Sequence, residues 1–193
     1  HKGITYEELP PPGGYGSAEY KAIVPSGNLP AMIHDGFMLA DSEAIAEYLE
    51  EAFPDVPMLP ANMQLRAKAR EKSRLHDTRL EPAVRGLYPY VDHKTRDTAA
   101  VARQGEAISK SLDALALLLA SDRLDPANLW MCDCGFAVTF AWIKAFEATI
   151  GLQVTWPEAV LSYDARLRAH PEVAKELIAY KVAMDAYLEN AKA

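Results

Sequence analysis

The chain has 193 residues, of which 50% are hydrophobic and 24% charged, enough for one ordinary domain or two small ones with a sizeable core. Its net charge of −7 argues against nucleic acid as a partner, because a phosphate backbone calls for a basic footprint. No apolar run approaches the roughly 20 residues that cross a bilayer, and the two cysteines, Cys132 and Cys134, are too few for a disulfide scaffold. A cytoplasmic protein without membrane contact is therefore expected. The cysteine pair has no second ligand pair at zinc spacing, so no metal is expected and both thiols read as small buried hydrophobes.

From the start, Lys2-Gly3 has the form of a helix end, with a basic residue and then glycine. The chain thus reads as beginning at the tail of a helix, with a further segment expected ahead of His1. Ile4–Glu8 alternates apolar and polar residues as a half-buried strand does. Pro10–Gly14 interrupts regular structure, and Ser17–Ile23 can hold a short helix. Leu29–His34 and Phe37–Ala40, joined by Asp35-Gly36, predict a β-hairpin with a type I′ turn. Asp41 and Ser42, both good N-caps, precede a helical pattern at Ile45, Tyr48, Leu49 and Phe53.

Beyond Asn62 the periodicity is helical throughout. Gln64–Gly86 is a long amphipathic stretch with an expected bend at Pro82, and Thr98–Leu119 is a second helix. Asp133–Ile150 is apolar nearly all round and should form the buried centre of a bundle. Trp156-Pro157 opens another helix, which His170-Pro171 ends before the last one. The division is an α/β part over residues 1–60 and an all-α part over residues 61–193.

The order of Val24-Pro25-Ser26-Gly27-Asn28-Leu29-Pro30, Asp35-Gly36-Phe37 and Leu39-Ala40-Asp41-Ser42-Glu43-Ala44-Ile45 resembles the cytosolic glutathione S-transferase superfamily. Trp156-Pro157 through Arg166 and His170-Pro171-Glu172-Val173 resemble that family's last helices. The resemblance implies a thioredoxin-like domain, here without its first strand and helix, followed by an all-helical C-terminal bundle. It also implies a cis Pro30, a cysteinyl contact from the Leu29 backbone, and a γ-glutamyl site at Asp41-Ser42. The chemistry is apt: a hydroxyl and free N–H groups at a helix start suit a carboxylate, and a carboxylate suits an ammonium. Glutathione is the implied cosubstrate, and Asn28, Leu29, Pro30, Asp41 and Ser42 are its expected contacts. Each has a plain alternative, since Asp41 and Ser42 can serve as helix caps alone and Pro30 as a trans edge-strand proline.

Three departures from the family pattern stand out. No residue present takes the place of the family's catalytic Tyr, Ser or Cys. Asn28 stands where many relatives carry a lysine for the glycine carboxylate. Cys132-Asp133 lacks the hydroxyl that usually caps the buried helix, which suggests residues missing between the two. For an electrophile pocket the candidates are Arg79, Arg85, Tyr88 and Tyr90, with packing aromatics and solvated arginines as the plain alternative; His76 reads as a packing or dimer-interface histidine. Two functions stay open: glutathione transfer to a small hydrophobic electrophile (or glutathione-assisted isomerisation, dehalogenation or ether cleavage), and a non-catalytic binding module. A homodimer is implied by the resemblance.

Overall fold

The Ser17 hydroxyl accepts the Tyr20 N–H at 3.0 Å and donates to the Pro12 carbonyl at 2.6 Å, which starts the first helix, α1 (Ala18–Ile23). The structure, a computed structural model, describes residues 1–190 and divides into two units, His1–Met58 and Leu59–Ala193. In the first unit, β1 (Ala31–His34) and β2 (Phe37–Ala40) pair antiparallel, with Ala31 opposite Ala40 and His34 opposite Phe37. Asp35 and Gly36 both take positive φ, 50° and 80°, as the expected two-residue turn requires. Asp41 then caps α2 (Ser42–Ala52).

The far end of α2 is held by Lys2. Its ammonium donates to the carbonyls of Phe53 and Val56 at 2.9 and 2.8 Å and pairs with Glu50 at 2.6 Å. The Phe53 carbonyl stands at the C-cap, where a helix end leaves carbonyls without intrahelical donors, and Val56 lies in the loop beyond. The strand expected over Ile4–Glu8 does not form. A strand persists only within a ladder, and β1–β2 is the only one among the described residues.

The second unit is helical: α3 (Met63–Leu75), α4 (Glu81–Arg85), α5 (Thr98–Ser121), α6 (Cys134–Ile150), α7 (Glu158–Ala169) and α8 (Pro171–Asn190). No described helix is long and apolar enough to cross a membrane. Asn62 and Asp97 cap α3 and α5 through their side-chain oxygens. The break expected at Pro82 arrives a turn early, as a π-helical turn over His76–Leu80 in which the Glu81 N–H reaches the His76 carbonyl. Proline offers no N–H, so the bonding pattern changes register before reaching it. Phe136, Phe140, Ile143 and Phe146 of α6 are wholly buried, as its sequence predicts. His76 packs as expected: it is buried, bonded to Asp77 at 2.9 Å and to Thr139 at 2.8 Å, with its ring edge-on to Phe136.

Asp133, with no exposed surface, ties this unit together. One oxygen accepts the Tyr163 hydroxyl at 2.6 Å and the Lys72 ammonium at 3.1 Å. The other accepts the Trp130 N–H at 3.1 Å and the Arg166 guanidinium at 3.3 Å. The chain runs through Met131–Asp133 as one 3₁₀ turn straight into α6, with the Trp130 carbonyl taking the Asp133 N–H. The Asp133 carboxylate thus closes the 3₁₀ turn at the Trp130 N–H, while α6 itself starts without a side-chain cap. Lys72, 1% exposed, has Asp122 as a second partner at 3.3 Å. The cysteine expectation needs one correction: Cys132 is buried, but Cys134 is exposed, because it occupies the outward side of the first turn of α6.

Loss of the Asp133 charge leaves the buried Lys72 with Asp122 as its remaining carboxylate and takes from Arg166 its ion pair. Asp133→Asn is expected to lower the unfolding free energy by roughly 3–5 kcal/mol, read from denaturant titration. Burial works to lower the Lys72 pKa, but the neighbouring Cys132, Asp133 and Asp122 outweigh it and the net shift is upward. Burial also raises the Cys132 thiol and the Tyr163 phenol, with Asp133 adding to both. All three groups hold their protons more tightly folded than unfolded. Their contribution is therefore complete at low pH and is lost as pH rises, beginning near the ordinary thiol value of about 8.5. The denaturation midpoint should fall between about pH 8.5 and 11, and at pH 8 only Cys134 should react with a thiol reagent before unfolding.

Candidate functional site

The site is built from the two chain segments that leave the same end of the hairpin. Ala31 faces Ala40, so Pro30 and Asp41 stand just beyond the last pair, where neighbouring strands are about 4.8 Å apart. On one side lies the loop from Val24 to Pro30. Val24 is buried, its carbonyl accepts the Gly27 N–H at 2.8 Å, and Gly27 turns the chain with φ 68°. The Asn28 N–H reaches the Ser26 hydroxyl at 3.3 Å, and the buried Tyr20 hydroxyl donates to the Asn28 carbonyl at 2.8 Å. The Leu29–Pro30 peptide is cis, as the resemblance implied. Leu29 is 51% exposed, and its backbone N–H and carbonyl make no hydrogen bond among the described residues.

On the other side is the start of α2. One oxygen of Asp41 accepts the N–H groups of Glu43 and Ala44 at 3.1 and 3.0 Å, and Asp41 adopts φ 85°. Positive φ is costly for a residue with a Cβ, by about 1–3 kcal/mol, and such strain gathers at functional sites. Ser42, the first helical residue, is exposed, and its hydroxyl makes no hydrogen bond among the described residues. The position of α2 against the hairpin is fixed by His34, whose Nδ1 lies 2.7 Å from the Tyr48 hydroxyl. Together these give an unpaired backbone edge, a free hydroxyl at a helix N-terminus and a carboxylate, which is the donor and acceptor set that an amino-acid terminus requires. Among the described residues no group of three or more His, Cys, Asp or Glu is arranged to hold a metal.

Asn28, Leu29, Pro30, Asp41 and Ser42 are thus gathered at one end of the first unit. The four residues considered for an electrophile pocket lie in the second. Arg79 is exposed on the π turn, and Arg85 pairs with Glu81 at 2.6 Å on the surface of α4. Tyr88 packs edge-on against Trp142, Phe146 and Tyr187 at centroid distances of 5.0, 5.6 and 5.6 Å. Burial raises its phenol pKa, with nearby Tyr180 adding to the shift, so it stays protonated at neutral pH. Tyr90 is half-buried, and its carbonyl takes the Arg96 guanidinium at 2.9 Å. Tyr20 and Lys2 escaped sequence analysis as supports of the site. Ser17 marks the start of α1, but the contact of Tyr20 with the loop depends on where that helix docks, which has no local signal.

Residues 1–57 match the family model described as the glutathione S-transferase N-terminal domain. Glutathione S-transferase Z2 of Arabidopsis thaliana is 30% identical over 124 residues, which are 62% of this chain and 56% of that protein. A probable maleylacetoacetate isomerase of Caenorhabditis elegans is 42% identical over 65 residues, 34% of this chain and 30% of that one. The chain therefore spans about half the length, or less, of these curated relatives. Among solved structures, a bacterial maleyl pyruvate isomerase described as a zeta-class glutathione S-transferase has a TM-score of 0.74 at 24% identity, covering 90% of this chain and 85% of its own. At that identity the likeness shows the fold.

Gly27 gives this geometry a direct check. A Cβ there would force the left-handed conformation on alanine and meet Lys21 Cε at 2.9 Å. Gly27→Ala is expected to cost roughly 1–2 kcal/mol in denaturant titration, whereas alanine at the exposed Ser26 should cost under about 0.5 kcal/mol.

Proposed function

We propose that the chain, whose residues 1–57 match the glutathione S-transferase N-terminal domain, is a member of the cytosolic glutathione S-transferase superfamily, that it binds glutathione at Asn28, Leu29, Pro30, Asp41 and Ser42, and that it places the glutathione thiol for reaction with a small electrophile. The observation that carries the proposal is the Ala31–Ala40 pairing, which brings the cis Leu29–Pro30 loop and the start of α2 to one end of the hairpin. The γ-glutamyl carboxylate is received by the Ser42 hydroxyl and the α2 N-terminus, and its ammonium by Asp41. The cysteinyl residue pairs with the open backbone of Leu29, as an added strand would. This places the thiol on the rim of the first unit, and catalysis then consists of lowering its pKa and aligning the second substrate.

The names of the relatives favour one chemistry within this class, the isomerisation of a maleyl double bond. A glutathione thiolate adding to the conjugated carbon leaves a single bond, rotation follows, and expulsion of the thiolate returns glutathione unchanged. A dimer is the assembly expected of the family. The alternative, a binding module that does not activate the thiol, would retain the affinity and lack the turnover.

Calorimetric titration with glutathione tests the site. Ser42→Ala removes one hydrogen bond to a charged group and should weaken binding by roughly 1–2 kcal/mol, about tenfold, with little change in stability. Unchanged affinity would refute the assignment. Turnover of a maleyl compound without consumption of glutathione would identify the isomerase, and net loss of glutathione would identify conjugation.

A further inference from the structure

The inner side of α8 is settled by its contacts. Met184 and Leu188 are buried, and the Tyr180 hydroxyl takes the Trp142 indole N–H at 2.9 Å. Residues two apart stand about 200° apart around a helix, so Val182 lies on the side opposite both Tyr180 and Met184. There Ile178 and Val182 are 72% and 70% exposed, and the exposed Ala186 continues the line one turn further. Single apolar residues on a surface need no explanation, but three in line on one helix form a stripe. A charge stands at each end of it. Lys175 lies seven residues before Val182 and Glu189 seven after, and seven residues are about two turns, so both fall on the same line. Both are exposed, and neither makes an ion pair among the described residues. Lys181, off the line, is by contrast already paired with Asp185.

We propose that this face of α8 binds a second copy of the chain, the two helices packing antiparallel about a twofold axis at Val182. A face that meets its own copy must be self-complementary, so that what lies before the axis matches what lies equally far beyond it. α8 meets this condition at each step. Val182 meets Val182 of the other copy, the bulky Ile178 lies beside the small Ala186, and Lys175 meets Glu189. By symmetry the ion pair forms twice, once at each end of the stripe. A parallel arrangement would set Lys175 against Lys175 and Glu189 against Glu189, so charge selects the antiparallel one. One helix pair covers less than the roughly 1,200–2,000 Å² of a standard interface, so the association is reversible and rises with protein concentration. The contact uses residues of α8 alone and stands independently of the glutathione site.

A cysteine on the axis tests this by cross-linking. In a Cys134→Ser background, which removes the exposed thiol, Val182→Cys brings two thiols together in the pair. Glu176→Cys, exposed on the same helix but off the line, does not. Under a copper–phenanthroline oxidant at low salt, Val182→Cys is expected to form the disulfide-linked dimer roughly tenfold faster than Glu176→Cys. Adding Lys175→Glu should slow the cross-linking several-fold, and adding Glu189→Lys to that variant should restore it. The substituted positions of α8 are all exposed, so the variants fold as the parent does. Equal rates at positions 182 and 176 would overturn the proposal and leave the stripe to another protein or a lipid surface. A Lys175→Glu variant without effect, or a double reversal that fails to restore the rate, would overturn the antiparallel pairing.

Discussion

The pairing of Ala31 with Ala40 is the constraint on which the candidate site depends. A strand pair has a side-chain period of two, so a slip of one residue would exchange its faces and move Pro30 away from Asp41. The Asp35-Gly36 turn prevents the slip, because both residues take positive φ and close a two-residue connection that admits one register. What lies beyond the hairpin follows from that. The loop on one side is fixed to α1 by Tyr20, and the helix on the other begins at Asp41 and is tied to the hairpin by the His34–Tyr48 hydrogen bond. The candidate site is built mainly from backbone geometry.

The helical unit obeys a different rule. Its centre is a charged group buried without exposed surface, which is tolerable only when every lone pair has a donor. Asp133 meets that demand with Lys72, Tyr163, Arg166 and the Trp130 N–H, drawn from α3, α7 and the turn before α6. The carboxylate therefore closes the turn before α6 and joins the helices around it. Arg166 also takes the carbonyls of Pro126 and Asn128, so the loop before α6 is held by the same side chain. Apolar burial along α6 supplies the bulk of the driving force, and the polar cluster specifies the arrangement.

The features legible in sequence were those with local causes. Asp-Gly between two apolar runs gave the hairpin, Asp41 ahead of Ile45 and Leu49 gave α2, and the apolar girdle from Phe136 to Phe146 gave the buried helix. Asn28, Leu29, Pro30, Asp41 and Ser42 could be singled out because their order resembles a known family, and the hairpin then brings them to one end. The misreadings share a non-local cause. Ile4–Glu8 alternates as a strand should, yet a strand requires a neighbour that alternation cannot supply. The π turn at His76–Leu80 is the local exception: Pro82 signals the bend, but not the turn at which the bonding pattern changes. The grip of Tyr20 on the loop depends on where a short helix docks, and the exposure of Cys134 depends on which side of α6 faces the core.

The most direct measurement is a glutathione titration followed by amide resonances in a ¹⁵N-labelled sample. If glutathione lies across the hairpin end, the signals of Asn28, Leu29, Ser42, Glu43 and Ala44 shift together along one binding curve, while those around Asp133 stay in place. Shifts confined to other segments, or no saturable shift at these five amides, would contradict the assignment of the site.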